Sequence, residues 1–448
     1  MTRSTDRPIS TIRSSAHPLL APAVCVLAIV LLTSLPLGAY SVLTHEQVVD
    51  LAWQDRIQRM LLARFPATTP DQLRRAHAFA YGGSVVQDMG YYPFGNKYFS
   101  DLLHYVRSGD FVANLIEESS DVNEYAFALG ALAHYASDNV GHPTINRVVA
   151  IDFPKLRVKY GDEVTYADDH KTHIQTEFGF DMVQVAKNRY TSDRFHDFIG
   201  FEMAKPLLER AFLKTYGLKL QDVLGDEDLA IGTFRRAISK VIPAMTRVAL
   251  LNKRADLVPE THDHAQRKFL YHVSRANYEK EWGKGYRRPG TGSRILAFFL
   301  HIIPKVGPAT ALDFKLPDKQ TEDMYIKSVD ATIDDYHKRL GQVERGNLAL
   351  PNMDCDTGRA TQAAEYPLAD ATYARLLHDL AAKNFFAVSP PLGSNIMAFY
   401  SNSTDPLPTK RNSKQWQERE QDLARLKTWA GIESLPAAGA TNPTTSAR

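Results

Sequence analysis

One ordered run of imidazole and carboxylate side chains limits what this chain can fold into. Seven potential metal ligands lie between residues 88 and 177: Asp88, His104, His134, Asp138, His142, His173 and Glu177. His45, further upstream, is a candidate eighth ligand. Isolated charges are costly to bury, so a core that gathers these groups must pair them or bind ions with them. Mixed imidazole and carboxylate ligands suit zinc, and so many of them indicate more than one ion.

The spacing within this run predicts how pairs of ligands cooperate. Residues four apart point to the same side of an α-helix, so His134 and Asp138 could bind one ion together. His173 and Glu177 have the same spacing and could bind another ion from a second helix. Asp138 lies between two ligand groups, and its two oxygens could bridge ions. Any one of these residues alone is a weak signal, whereas the whole ordered set is not.

The helix that carries His134 and Asp138 is predicted over 121–138. His142 lies four residues further on, but Gly141 and Pro143 predict that the helix ends or bends there.

Asp88 is predicted to lie on a loop or irregular turn, because glycines and a proline are expected to break the chain around it: Gly82, Gly83, Gly90, Pro93 and Gly95. Together with His104, on a short helix, Asp88 could complete the first site.

Other histidines are weighed against this run. His170, three residues before His173, is an alternative ligand; His173 is preferred because it pairs with Glu177 at a spacing of four. His77 is interpreted as a buried, hydrogen-bonded histidine. The segment 262–264 (His-Asp-His) begins a polar helix and is interpreted as a solvated face.

Helical periodicity dominates the chain, and few segments alternate with a period of two. Helices are predicted over 45–64, 121–138, 168–187, 199–214, 229–252, 262–281, 321–341, 368–384 and 414–428. No internal repeat is found. The fold class predicted is all-α, with long irregular connections.

The first 39 residues have the pattern of a secretory signal. Basic residues precede an apolar run from 19 to 32, and small residues follow it, so cleavage after Ala39 is expected. The alternative is an uncleaved anchor, because apolar character extends to Ala39, close to the ~20 residues that a membrane span needs. The chain is therefore expected to be exported, to the periplasm, the medium or the membrane. Cys25 would leave with the signal, so Cys355 could form no intramolecular disulfide.

The composition of residues 40–448 predicts three regions. A helical domain is predicted over 40–260, a helical extension over 261–400, and a polar, partly disordered tail over 401–448. The apolar segment 295–303 within the extension is too short to span a bilayer; it could rest in a lipid interface, or form a buried hairpin or short core helix. The formal net charge of +2 gives no signal for nucleic acid, and the sequence leaves the oligomeric state open.

The order Asp, His, HxxxD, His, HxxxE resembles the zinc-dependent phospholipase C and P1/S1 nuclease superfamily, over about residues 40–260. The His134–Asp138–His142 spacing resembles that of the amino-terminal domain of glycosylphosphatidylinositol-specific phospholipase D more than that of the secreted bacillary phospholipases, where the last His lies further along. The resemblance implies a multi-helix bundle with long irregular loops that holds three zinc ions.

The same resemblance implies a ligand set for each ion. One zinc would be held by Asp88, His104, His134 and Asp138, and a second by His142, His173 and Glu177. A third would be held by Asp138, His45 and the free amine and carbonyl of the mature amino-terminal residue. That residue is often Trp in the family and would be Tyr40 here, five residues before His45. Asp88 would also orient the attacking water.

The function predicted is a zinc-dependent phosphoric ester hydrolase, phospholipase C-like, that activates water against a phosphodiester such as a phospholipid. The alternatives are a nuclease or nucleotidase of the same superfamily, or a non-catalytic metal-binding domain in which protein atoms close every zinc position. Tyr91, Tyr92 and Phe94 follow Asp88 and could line a pocket for a choline-like cation or a base, with core packing as the alternative.

Overall fold

The computed structural model describes residues 42–186, 190, 201–238, 242, 314–401 and 413–429. Regular structure in these ranges is almost entirely helical, which confirms the all-α prediction. The β-structure found there is one antiparallel hairpin of two short strands, β1 (Met353–Asp354) and β2 (Arg359–Ala360).

The helices run along the chain in the following order. The first part contains α1 (Val42–Ala52), a π-helical turn (Trp53–Ile57), α2 (Gln58–Arg64), α3 (Pro70–Val85), a 3-10 helix (Val86–Tyr91), α4 (Lys97–Tyr105), α5 (Ser108–Glu118), α6 (Val122–Asp152), α7 (Pro154–Tyr160) and α8 (His170–Ala186). After it come α9 (Lys205–Tyr216), α10 (Leu220–Leu224), α11 (Glu227–Arg236), α12 (Lys319–Glu344), α13 (Pro367–Ala382), α14 (Pro390–Ser401) and α15 (Ser413–Thr428).

Four of the predicted helices are found close to their predicted limits. The segments 168–187, 321–341, 368–384 and 414–428 each correspond to one helix that ends within three residues of the expected bounds. The helix α3 was not predicted, although its start carries a recognisable signal. Thr69 accepts a hydrogen bond from the backbone N–H of Gln72, and the Gln72 side chain accepts one from the backbone N–H of Thr69.

The helix that carries His134 and Asp138 was predicted to end or bend at Gly141 and Pro143. The predicted end is wrong, because α6 continues to Asp152. Its first turn is capped by Asp121, whose side chain accepts from two backbone N–H groups. Pro143 removes one backbone donor from the helix, and α6 nevertheless continues through it.

The prediction that Gly82 and Gly83 break the chain is also wrong, because both lie inside α3. They permit close packing instead. A Cβ on Gly83 would lie 1.9 Å from the carbonyl oxygen of Phe127, and one on Gly130 would lie 2.0 Å from that of Ala80. The backbones of α3 and α6 therefore approach each other at paired glycines, and Asp88, in the 3-10 helix after α3, is brought beside α6.

The helix α6 is the centre of the packing. Its most extensive contacts are with α3 on one side and with α12 on another. Tyr336 of α12 is fully buried, and its hydroxyl donates to the carbonyl of Leu129 on α6. The helical extension thus shares a core with the helices that carry the candidate ligands.

Several predictions fall outside the described residues: the signal at 1–39, Tyr40, most of the helix at 229–252, the helix at 262–281 with its His-Asp-His segment, and the apolar segment 295–303. Among the helices that the structure describes, none is both long and apolar enough to cross a bilayer. The domain limits at 260 and 400 stay predictions.

Candidate metal centre

The uninterrupted α6 places three candidate ligands on one face. His134, Asp138 and His142 follow one another at a spacing of four, and all three side chains are buried. The other candidates come from α1, the 3-10 helix, α4 and α8. None of the eight residues from His45 to Glu177 that the sequence singled out is more than 2% exposed. The fold therefore gathers the whole set in the interior.

The first group surrounds Asp138. His134 Nε2 lies 2.9 Å and His104 Nε2 lies 3.3 Å from Asp138 Oδ2. Asp88 Oδ1 lies 3.5 Å from the same His104 nitrogen. Ligand atoms of Asp88, His104 and His134 all lie within 4.8 Å of one another, a separation that one ion could bridge.

His45 adds a second set on the other side of Asp138. Its Nε2 lies 3.6 Å from Asp138 Oδ1, and its ring stacks on that of His134 with centroids 4.3 Å apart. Ligand atoms of His45, His134 and Asp138 again lie within 4.8 Å of one another. The two oxygens of Asp138 thus face different imidazoles, which is the arrangement that a bridging carboxylate requires.

The remaining three candidates form a separate group. His173 Nδ1 lies 2.6 Å from Glu177 Oε1, and His142 Nε2 lies 3.9 Å from the same oxygen. His173 Nε2 donates to Asn146 Oδ1 at 2.8 Å, which leaves Nδ1 of the neutral ring without a proton. Glu177 Oε1 faces that nitrogen, at the point where ligand atoms of all three side chains converge.

Hydrogen bonds to backbone carbonyls orient the other imidazoles. His104 Nδ1 donates to Ser100 O, His134 Nδ1 to Ser84 O and His142 Nδ1 to Cys355 O, at 2.7, 2.9 and 2.6 Å. A carbonyl only accepts, so each ring must carry its proton on Nδ1. In its neutral form each ring then directs its Nε2 lone pair into the group, as in histidines that bind metals.

The charges of the first group are mutually dependent. Burial alone would lower the pKa of His104 and of His134, but the carboxylates of Asp138 and Asp88 outweigh it and raise both. Burial would likewise raise the pKa of Asp138, but the positive charge of His134 and the close approach of His104 bring it well below its usual value. In the protein alone, protons on imidazoles balance the buried carboxylates.

In His45, His173 and Glu177, the pKa shifts in the direction that burial favours. Burial, reinforced by the charge of His134, lowers the pKa of His45 to about 3. Burial and the neighbouring His142 hold the pKa of His173 well below its usual value, whereas burial and the charges of Asp88 and Asp138 raise that of Glu177 well above it. Neutral imidazoles are the form that binds metal, and bound cations would displace the protons from Glu177 and the first group.

Unsatisfied acceptors support a fit to metal ions. Within the described part of the chain, Asp88 Oδ1, both Asp138 oxygens and Glu177 Oε2 are buried and accept no hydrogen bond of acceptable geometry. Buried carboxylate oxygens without donors are costly, and divalent cations would satisfy them. The donor set of imidazole nitrogens and carboxylate oxygens is the one that zinc takes in proteins.

The structure shows the surroundings of two other histidines that the sequence singled out, His170 and His77. His170 is exposed and packs against Tyr166, so His173 rather than His170 lies in the ligand group. His77 is buried, bonded to Asp50 at 2.9 Å and stacked on Trp53, which confirms its interpretation.

The three aromatic residues after Asp88 have different surroundings. Tyr91 lies 5.7 Å from the ring of His104, Tyr92 packs against Phe234, and Phe94 is 51% exposed. Of the three, therefore, Tyr91 borders the centre, Tyr92 packs in the core and Phe94 is at the surface.

Sequence reasoning missed the contribution of β1 and the turn after it. Cys355 and Asp356 touch the centre from more than two hundred residues downstream of His142. Asp356 Oδ1 lies 3.5 Å from His142 Nδ1. The only local signal is the succession Asp354-Cys355-Asp356 before Gly358, which has no spacing relation to the ligands.

Comparison with known proteins agrees with this picture. Residues 44–221 match the family model described as zinc dependent phospholipase C. That range contains His45 and all seven downstream candidates and ends before α12. No curated protein and no solved structure matches the chain.

Proposed function

Because residues 44–221 belong to the zinc-dependent phospholipase C family, we propose that this protein hydrolyses a phosphodiester with zinc-activated water. The observation that carries the proposal is the convergence of eight buried ligand side chains from five elements into three adjoining groups. Such a cluster is expensive to bury unless cations compensate it.

The proposed ligand sets follow these groups. Asp88, His104, His134 and Asp138 would hold one zinc, and His142, His173 and Glu177 a second. A third would be held by Asp138, His45 and the amine and carbonyl of Tyr40, which lies outside the described residues. When bound, zinc ions lower the pKa of a coordinated water toward neutrality and stabilise charge on phosphate oxygens.

The side chains would contribute position and proton transfer. Asp88 is held beside α6 by the glycine-mediated crossing of α3, and its carboxylate can orient a water and accept its proton. The rings of His104 and His134 are fixed through Nδ1, so they cannot turn away as charge develops. Burial excludes bulk water, which strengthens each of these interactions.

A phospholipid is the substrate class that we propose. The family description names phospholipase C activity, and Phe94 offers an exposed apolar side chain six residues from Asp88. The segment 295–303, outside the described residues, is proposed to contact the lipid surface. If it does, changing Phe298 and Phe299 to Ser will reduce flotation of the protein with liposomes, and undiminished flotation would refute the contact.

An assay on three substrates tests the reaction. Zinc-loaded protein is expected to release diacylglycerol from phosphatidylcholine vesicles and to cleave p-nitrophenyl phosphorylcholine, and to lose both activities after chelation. Cleavage of single-stranded nucleic acid in place of the lipid would assign it to the nuclease branch. Three bound zinc ions with no turnover on any substrate would indicate a non-catalytic metal domain. His134→Ala should be inactive, while His378→Ala, at a 65% exposed site on α13, should not.

We also propose that the chain is exported and cut after Ala39. The free amine of Tyr40 would then be a ligand, whereas the amide nitrogen of an uncut chain is a poor one. Amino-terminal sequencing of protein recovered outside the cytoplasm is expected to begin at Tyr40. A start several residues away would remove the third ligand set as proposed.

A further inference from the structure

We propose that the hairpin turn of residues 353–360, which lies outside the family-matching range, is a positioning element of the group formed by His142, His173 and Glu177. The inference rests on the proposed function, since it assumes that this group holds an ion. Its basis is a pair of hydrogen-bond paths that start at both imidazoles of the group and end on two consecutive peptide carbonyls of the turn.

The first path is direct. His142 Nδ1 donates to the carbonyl oxygen of Cys355 at 2.6 Å. The bond fixes the tautomer and the ring plane and leaves Nε2 facing Glu177 Oε1, 3.9 Å away. A ring without this acceptor could rotate or place its proton on Nε2, and either change would remove the lone pair from the group.

The second path passes through one side chain of α6. His173 Nε2 donates to Asn146 Oδ1 at 2.8 Å, and Asn146 Nδ2 donates to the carbonyl oxygen of Asp356 at 2.8 Å. All of these groups are buried. The turn therefore sets the orientation of the Asn146 side-chain amide. In that orientation Asn146 Oδ1 accepts from His173 Nε2, and Nδ1 is left as the ligand atom of His173.

The turn itself is held rigidly at this place. The Asp356 carboxylate accepts from the hydroxyls of Tyr105, at 2.8 Å, and Tyr366. The backbone N–H of Asp356 donates to Asp354 Oδ1 at 2.9 Å, and that of Cys355 donates to the carbonyl of His104 at 3.1 Å. The turn thus connects the end of α4 with the middle of α6.

A proline and a glycine make this approach possible. Pro143 has no N–H to donate to the carbonyl of Asn139, and Gly358 packs against that carbonyl. A Cβ on Gly358 would lie 2.4 Å from the Asn139 oxygen and 2.8 Å from Pro143 Cγ, and its φ of +65° favours glycine as well. Pro143, which predicted an end to α6, therefore marks the place where the turn of residues 353–360 packs on this helix.

By contrast, the first group takes its orientation from within the family-matching range. His104 and His134 donate to the carbonyls of Ser100 and Ser84, both in that range. The extension orients the imidazoles of the second group, whereas it reaches the first group at the backbone carbonyl of His104 and not at its ring. Loss of the paths to the turn should therefore weaken one ion and leave the others in place, which a general loss of stability would not do.

The test measures ions rather than activity. Zinc bound per full chain is determined by equilibrium dialysis against buffered zinc, together with the absorption spectrum of the cobalt-loaded protein. Asn146→Ala is expected to weaken one ion by about 10- to 100-fold and to change the cobalt bands of that ion alone. Asp356→Ala should have the same effect, and Asp356→Asn, which keeps a side-chain acceptor, should recover part of the affinity.

Matched variants distinguish a failure of the proposed ligand set from a failure of the positioning role of the turn. Asn352→Ala, at the residue just before the turn and bonded to Asp110, should bind all ions as the parent does. Glu177→Ala removes a proposed ligand and should lose the same ion as Asn146→Ala. If Glu177→Ala keeps every ion, the proposed ligand set fails. If Glu177→Ala loses an ion while Asn146→Ala and Asp356→Ala keep all affinities and spectra, the turn is not a positioning element and this inference is overturned.

Discussion

The two groups of candidate ligands are built from similar side chains, but different parts of the chain orient them. Around Asp138, the imidazoles of His104 and His134 are oriented by carbonyls of nearby helices within the family-matching range. Around Glu177, the imidazoles of His142 and His173 are oriented, directly or through Asn146, by a turn far downstream. A ligand pattern can thus be local in sequence while its geometry depends on a distant segment.

The largest effect should come from the group that is supported locally. Asp138→Ala removes a carboxylate shared by two proposed ligand sets, so we expect kcat/KM for p-nitrophenyl phosphorylcholine to fall at least about 10,000-fold, or ~5 kcal/mol of transition-state stabilisation. Asp228→Ala, at an 85% exposed site, is the control. Full activity of the Asp138 variant would remove the basis of the enzyme proposal.

The next largest effect concerns how much the packing of α12 on α6 contributes to the free energy of unfolding. Tyr336→Ala in α12 should lower the free energy of unfolding by about 3–5 kcal/mol, because it opens a cavity against α6. Tyr336→Phe should lower it by about 1 kcal/mol, since it removes only the hydrogen bond to Leu129. Denaturant titration measures both. A Tyr336→Ala variant as stable as the parent would show that the extension is energetically separate from α6.

The helix crossing that places Asp88 can be tested with matched glycines. Gly130→Ala would force a methyl group to within 2.0 Å of the Ala80 carbonyl, and we expect a loss of about 1–3 kcal/mol in unfolding free energy. Gly232→Ala in α11 meets no atom within 4 Å and should instead stabilise by roughly 0.5–1 kcal/mol. Equal effects at the two glycines would contradict the close approach of α3 and α6.

The smallest effect is a pH dependence located in the turn. Burial and the charge of Asp356 raise the pKa of Asp354 to about 8, against ~4 in an unfolded chain. The folded protein therefore retains a proton that the unfolded chain releases, so the stabilisation is complete below about pH 4 and is lost as the pH rises through 8.

Asp354→Asn keeps the acceptor oxygen for two backbone N–H groups but cannot become charged. Relative to the parent, the variant should gain at least about 1 kcal/mol of unfolding free energy between pH 4 and 8. Chemical unfolding at several pH values measures this gain, with the exposed Asp228→Asn as control. A pH-independent difference would show that Asp354 is ionised in the folded protein.

Much of the centre could be predicted because it is local. The spacing of four between His134 and Asp138, and between His173 and Glu177, is a geometric property of helices, and the structure places both pairs together. Pro143 and the Gly82–Gly83 pair were misjudged for one physical reason. Their helix-breaking tendency is an average over local conformations, whereas here tertiary packing uses a missing donor and missing Cβ atoms for close contact.

The sequence by itself determined the helical class, the set of candidate ligands and their pairing along each helix, since these depend on periodicities of a few residues. Only the tertiary structure decided which groups adjoin and that Cys355, Asp356 and Asn146 orient two of the imidazoles. The reason is that hydrogen bonds between residues 142 and 355, or 146 and 356, follow from the packing of whole helices and leave no periodic trace in the chain.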